Sequence, residues 1–200
     1  VTFSNSNVIT NGTSPNSFSV PFDIRRTILS NLNLFIVYNQ NNITTPTTQS
    51  LWGNDVGGGW NRFQTLNNTN GSFAYIISGG FFGGTQNVFA ISNINNTNKQ
   101  IYNASYSLSN INNSFVFTNG SLNRTFTEYA SQTETTTTNI FFGTINNTGF
   151  YGNVAYNEII VFNRTIDTNE RQQIEGYLAW KYGLQANLPS VHPFRIFPPG

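Results

Sequence analysis

Apolar residues in this chain come in short runs, at positions 18–24, 32–38, 73–77, 88–91, 101–108, 115–117, 140–142 and 154–162, and most of those residues are β-branched or aromatic. Runs of this length and chemistry suit strands, because branched and ring side chains pack well on a pleated surface. Between them stand stretches rich in Asn, Thr and Ser at 39–50, 67–72, 93–99, 131–139 and 146–149. Such side chains compete for backbone hydrogen bonds and favour loops. The alternation Ser114-Phe115-Val116-Phe117-Thr118 leads into Asn119-Gly120, two residues that tolerate positive φ and so predict a hairpin turn. Eight or more strands at roughly ten-residue spacing, with almost no helical pattern among them, predict an all-β chain built as an antiparallel sandwich or barrel. No repeat with a period of about 20 to 50 residues is visible, which disfavours a solenoid or a propeller.

One segment changes period. Over 167–182, Ile174, Tyr177, Leu178 and Tyr182 share a face at helical spacing. Asp167 and Glu170 take the N-cap and N3 positions of a capping box, and Gly183 supplies the C-cap. Trp180 lies off the stripe and is expected to pack against the returning tail. That tail, 184–200, holds Pro189, Pro193, Pro198 and Pro199 and is expected to run extended along the surface. The expected organisation is one domain in all: a sandwich over 1–166, a helix over 167–183 that closes one end of it, and an extended Pro-rich tail over 184–200.

Composition closes several chemistries. With 200 residues the chain is about one domain long and can bury a true core. Nine basic and eight acidic residues leave a net charge of +1 and no cationic patch to grip a phosphate backbone, so nucleic acid is not an expected partner. There is no cysteine and a single histidine, His192, which excludes disulfides, thiolate metal sites and any site needing two imidazoles. No run approaches the roughly 18 to 20 apolar residues of a membrane span. The chain starts at Val1 and holds no methionine, which suggests a processed segment of a longer protein in an exposed location. Asparagine is abundant, and 11 residues begin acceptor triplets for N-glycosylation where chance gives about seven. They are Asn11, Asn42, Asn67, Asn70, Asn95, Asn103, Asn112, Asn119, Asn123, Asn146 and Asn163.

The stretch GTINNTGFYGNVAYNEIIVFNRTI, from Gly143, resembles the closing strand of laminin G-like domains of the concanavalin A-like lectin/glucanase superfamily. The pattern there is a glycine, a short loop, F-x-G-x-I-A-E-V-I-V-Y and then a helix. Residues 167–194, ending in EGYLAWKYGLQANLPSVHPF, are similar to a tail that follows this domain in bacterial surface proteins and in virion proteins of large DNA viruses. More loosely, 34–38 resembles the early buried strand, 53–60 a loop near it, and 115–120 the Y-V-N-G hairpin. The family's opening segment, a strand with L-W-L-D-A and a W-x-D-x-S-G loop, is absent, as expected if it precedes Val1 or if a partner supplies that strand. The resemblance implies a two-sheet antiparallel jelly roll, a fold that hosts glycosidases, lectins and structural modules alike.

Three kinds of site were weighed on this scaffold. Glycoside hydrolysis needs two carboxyls about 5 to 9.5 Å apart, which related glucanases draw from one strand; among Asp23, Asp55, Glu128, Glu134, Glu158, Asp167, Glu170 and Glu175 no two stand two residues apart. Glu158 reads as a buried carboxylate accepting backbone N–H bonds. Calcium, the one cofactor considered, would find Asn54 and Asp55 beside Gly57, Gly58 and Gly59, although a single carboxylate is few for a hard cation and an Asx-capped turn explains the same residues. Sugar would find Trp52 and Trp60 to stack on and Asn54 and Asp55 to bond to, unless both tryptophans are core. His192 reads as a structural hydrogen-bonding residue. The expected function is therefore a non-catalytic laminin G-like module, a structural or adhesive component of an exterior surface such as a virion capsid or fibre. A secreted carbohydrate-binding lectin module is the alternative. Expected partners are other structural proteins of the same assembly, a further copy of the chain, or cell-surface glycans.

Overall fold

The computed structural model describes residues 2–9, 18–21, 31–40, 49–53, 63–67, 73–77, 87–91, 97–107, 114–125, 139–144 and 152–200. Among them the strands are β1 (Thr2–Ile9), β2 (Phe18–Val20), β3 (Asn31–Gln40), β4 (Gln49–Gly53), β5 (Phe63–Asn67), β6 (Phe73–Ile77), β7 (Asn87–Ile91), β8 (Gln100–Ser107), β9 (Phe115–Thr118), β10 (Ser121–Thr125), β11 (Ile140–Phe142) and β12 (Val154–Phe162), followed by the helix α1 (Thr168–Tyr182). They form two six-stranded sheets, ordered β1-β12-β3-β8-β9-β10 and β2-β11-β4-β5-β6-β7, with antiparallel pairing throughout. The fold is the expected all-β, two-sheet antiparallel sandwich with one short helix.

The core explains why β3 and β12 are the most apolar segments. Leu32, Leu34, Ile36 and Tyr38 of β3 point between the sheets with Tyr156, Ile159 and Val161 of β12, and meet Leu51, Trp52, Ile140 and Phe142 of the second sheet. The alternate residues Phe35 and Val37, with Ile160, point the other way and are buried as well, under Leu178 and Ala179 of α1 and Leu184 and Leu188 of the tail. Strands covered on both faces have no polar side to show, hence their near-continuous apolar runs. On β12 the register against β3 shifts between Tyr156 and Glu158. The extra residue, Asn157, changes the parity: Val154 and Tyr156 face inward before it, Ile159 and Val161 after it, and Glu158 turns toward the helix.

The hairpin expected at Asn119-Gly120 is present, with φ of 49° and 76° at the two residues, and the helix caps are as read. Asp167 accepts a 2.8 Å bond from the backbone N–H of Glu170, and Gly183 closes the helix at φ 70°. The Glu170 carboxylate, however, turns to Arg164 rather than back to the cap.

The C-terminal unit departs from expectation in three respects. The helix does not close an end of the sandwich but lies on the outer face of the first sheet. Its fully buried residues are Glu175, Gly176, Leu178 and Ala179, while Tyr177 is 44% exposed, so small and charged residues make up part of the packed face. The tail is also not extended: Gln185–Asn187 forms a 3-10 turn, and the backbone N–H groups of His192 and Arg195 bond to the carbonyls of Pro189 and His192. Pro193 sits second in the latter turn, where its fixed φ favours a turn. Trp180 does pack on the tail, its indole N–H donating to the Phe194 carbonyl at 2.8 Å. This close return requires Gly176, where an added Cβ would stand 2.5 Å from the Cβ of Phe194. Gly176→Ala is expected to destabilise: overpacking of ~1–3 kcal/mol against an atom that cannot rotate away outweighs the ~1 kcal/mol gained in helix propensity. A lower urea midpoint and faster proteolysis of the tail are the readouts.

Candidate functional site

Of the four residues read as a sugar-binding loop, only Trp52 is described, and it does not face solvent. It is 0% exposed, wedged between the sheets, with its indole N–H 3.4 Å from the Tyr102 hydroxyl. Tyr156 anchors the same strand by donating to the Leu51 carbonyl, and Phe18, Phe142 and Tyr156 pack as stacked and edge-on rings around them. Trp52 is therefore a core residue and is withdrawn as a stacking platform, because a pyranose needs an exposed ring. Asn54, Asp55 and Trp60, including the Asn54/Asp55 calcium candidate, lie outside the described residues, in the stretch that joins β4 to β5.

Four of the acids are described, and each is held by a structural partner. Glu158, 2% exposed, faces α1, where its carboxylate accepts from Tyr182 at 3.0 Å and Tyr177 at 3.4 Å and pairs with Lys181 at 3.0 Å. Its partners are thus side chains of the helix rather than the expected backbone N–H groups. Glu175 is fully buried, bound through both oxygens to Arg171 at 2.7 Å and facing the Nε2 atom of His192 at 3.2 Å. The Nδ1 atom of that histidine accepts from the Phe194 backbone N–H, which leaves the ring proton on Nε2 to donate to Glu175. Arg171 also lies 3.8 Å from the centre of the Phe117 ring, tying the helix to β9. Asp167 is the helix cap, and the Arg164 guanidinium hydrogen-bonded to Glu170 holds that carboxyl below the usual carboxylate range. His192 is structural, as expected. Asp23, Asp55, Glu128 and Glu134 lie outside the described residues. No group of three His, Cys, Asp or Glu among the described residues is placed to hold a metal ion.

The polar cluster around Glu158 was not legible in the sequence as a unit. Lys181 reaches Tyr177 at 2.9 Å and lies between the Tyr177 and Tyr182 rings, and Lys99 stands 5.1 Å over the Tyr182 ring. The i,i+4 spacing of Tyr177 and Lys181 was visible; their convergence on a strand glutamate 19 residues away was not. The cluster satisfies its own donors and acceptors, and chemically it is a clamp between β12 and α1.

Four glycosylation triplets have described side chains. Asn103 is 1% exposed in the middle of β8, with its amide donating to the Leu34 carbonyl at 3.2 Å, so it is withdrawn as an acceptor on the folded chain. Asn119 accepts from the Ile101 N–H, Asn123 donates to Thr118, and Asn163 is exposed. Asn11, Asn42, Asn70, Asn95, Asn112 and Asn146 lie outside the described residues, and Asn67 ends β5.

No protein-family model matches the chain, and no curated protein matches it. Solved structures do. The CBM40 module of Ruminococcus gnavus IT-sialidase, in its complex with α2,3-sialyllactose, is similar with a TM-score of 0.63 at 14% identity, over 85% of this chain and 95% of that one. The binding domain of Paraclostridial Mosquitocidal Protein 1 follows at 0.60 and 11%, over 85% and 43%, and that of botulinum neurotoxin serotype D at 0.57 and 10%, over 84% and 41%. At this identity the likeness is one of fold alone, a two-sheet β-sandwich. It does not single out the laminin G-like family.

Burial, and then the hydrogen bond to Glu158, push the Tyr182 hydroxyl up to about 12 from 10.0. Burial also raises Tyr38 and Tyr156, and the bonds to Tyr177 and Glu158 raise Lys181. A group whose folded value is raised gives its full stabilisation below the unfolded value and loses it as pH climbs through the folded one. The urea midpoint is therefore expected to hold up to about pH 10 and to fall between pH 10 and 12. In Tyr182→Phe the fall is shallower, because one of the titrating groups is gone.

Proposed function

We propose that this chain is a non-catalytic, glycan-binding module that acts at an exterior surface. The single observation that carries the reading is coverage: the chain spans 95% of the Ruminococcus gnavus module, which has been solved with α2,3- and with α2,6-sialyllactose. The roles of the described carboxylates support the non-catalytic part. Each is engaged by arginine, lysine, tyrosine, histidine or a helix cap, so none of them stands as a free acid facing a second one, as glycoside hydrolysis requires. The laminin G-like assignment rests on the segment from Gly143, whose glutamate, Glu158, occupies the outward position after the β12 bulge. Binding falls to the stretch between β4 and β5, with Trp60 as stacking ring and Asn54 and Asp55 as hydrogen-bonding groups, and no cofactor is invoked.

A second reading is favoured by one observation. Residues 167–194, similar to a tail of virion proteins, form a locked unit with buried bonds of its own. That suits a structural component of a virion capsid or fibre whose partners are neighbouring proteins of the assembly, at the virion surface rather than on a secreted lectin.

The two readings part on a glycan array that includes both sialyllactoses. A lectin binds there, and Trp60→Ala lowers its affinity at least tenfold with the circular dichroism spectrum and melting temperature unchanged. Absence of binding, together with self-assembly into a symmetric particle, favours the structural role and overturns the lectin. Trp52→Ala is the contrasting variant: emptying its buried site costs ~3–5 kcal/mol, so it lowers the urea midpoint whatever the ligand.

A further inference from the structure

We propose that Asn163 is an acceptor for an N-linked oligosaccharide on the folded chain, a modification site independent of the glycan-binding reading. The transfer needs an asparagine amide and a Ser or Thr hydroxyl two residues on, both reachable by an enzyme from outside. Among the triplets with described side chains, three fail that test to different degrees. Asn103 is buried in a strand paired on both sides. Asn119 holds the β9–β10 turn through its carbonyl oxygen, and the adjoining Gly120 has Leu188, Pro189 and His192 of the tail packed around it. Asn123 spends an amide hydrogen on the Thr118 hydroxyl at 3.0 Å.

Asn163-Arg164-Thr165 differs from all of these. All three residues are exposed, they form a bend between β12 and α1, and the Asn163 side chain has no hydrogen bond among the described residues. The middle residue is tied to its neighbours without being buried, its side chain being 53% exposed. The Arg164 carbonyl accepts from Asn33 at 2.6 Å, and its guanidinium pairs with Glu170 and lies 5.1 Å over the Phe162 ring. These ties hold the bend in place while Asn163 and Thr165, on either side of Arg164, stay exposed. A lipid diphosphate-linked oligosaccharide is the co-reactant. The Nδ2 atom of Asn163 forms a bond to the sugar C1 and gives its proton to a base, while the C1–O bond breaks and the lipid diphosphate leaves with the electron pair.

The test uses the full chain, purified unglycosylated and folded, with an oligosaccharyltransferase and lipid-linked oligosaccharide. Release of the glycan by peptide-N-glycosidase in heavy-oxygen water then marks each occupied asparagine. The expected result is occupancy at Asn163 at least tenfold above that at Asn103 and Asn123, lost in both Asn163→Gln and Thr165→Ala with the melting temperature unchanged. The same chain denatured before the reaction serves as control, where Asn103 becomes modified too. An unmarked Asn163 on the folded chain, or equal marking of Asn163 and Asn103, overturns the proposal.

Discussion

The fold hinges on the pairing of β3 with β12, two strands buried on both faces at once. A sandwich of two sheets needs one buried face per sheet; here the first sheet has apolar residues on both, with Phe35, Val37, Ile101 and Ile160 facing away from the second sheet. Exposing such side chains would forfeit about 1.5–3 kcal/mol each, so the sheet requires a third layer, and α1 with the tail is that layer. The bulge at Asn157 belongs to the same constraint. It lets one strand serve the inner core with Tyr156 and Ile159 and still deliver Glu158 to the helix.

Covering a sheet with a helix that carries little apolar surface leaves the fit to polar groups. Ala179 packs toward the sheet and Gly176 lets the tail close over the helix at Phe194, while the charged residues Glu175 and Glu158 fix where the helix sits. A buried ion pair adds little net stability compared with apolar packing, but losing one partner strands the other in a medium of low dielectric. The Arg171–Glu175 pair lies within the helix, but the bonds from Glu175 to His192 of the tail, and from Glu158 to Lys181, Tyr177 and Tyr182, therefore act as register marks. A slide of the helix by one turn would break all of them together. The only histidine in the chain is accordingly buried, 3.2 Å from a glutamate, where it ties the tail to the helix.

The strands that sequence reasoning recovered are those whose apolar content follows from burial. Those at 73–77, 140–142 and 154–162 agree to the residue, and 32–38 falls within β3. Missed were β1, β4, β5 and β10, with sequences TFSNSNVI, QSLWG, FQTLN and SLNRT. In these the strand is set by the neighbour it pairs with, distant in sequence for β1 and adjacent for β5 and β10, and their own residues carry little apolar pattern. The helix caps were legible because capping is local chemistry between residues three apart. The apolar stripe was legible as well, with Leu178 buried and Ile174 and Tyr182 packed against the same cluster, although Tyr177 is exposed; Glu175 and Gly176 were missed because their role depends on His192 and Phe194 arriving from the tail. Trp52 stayed open between two readings for a related reason: a tryptophan beside a glycine-rich loop suits either a stacking ring or a core plug, and the pairing of β4 with β11 and its full burial decide for the core.

α1 and the tail cover the outer face of the first sheet at β3, β8 and β12. The stretch with Asn54, Asp55 and Trp60, to which we assign binding, joins two strands of the other sheet, β4 and β5. The low charge of the chain bears on that proposal: with eight acids and nine bases in 200 residues, and the described acids committed to holding the helix or its cap, the groups proposed for binding are an aromatic ring, a neutral amide and the single carboxylate of Asp55. Such groups suit the apolar faces and hydroxyls of a sugar, and suit a phosphate backbone poorly.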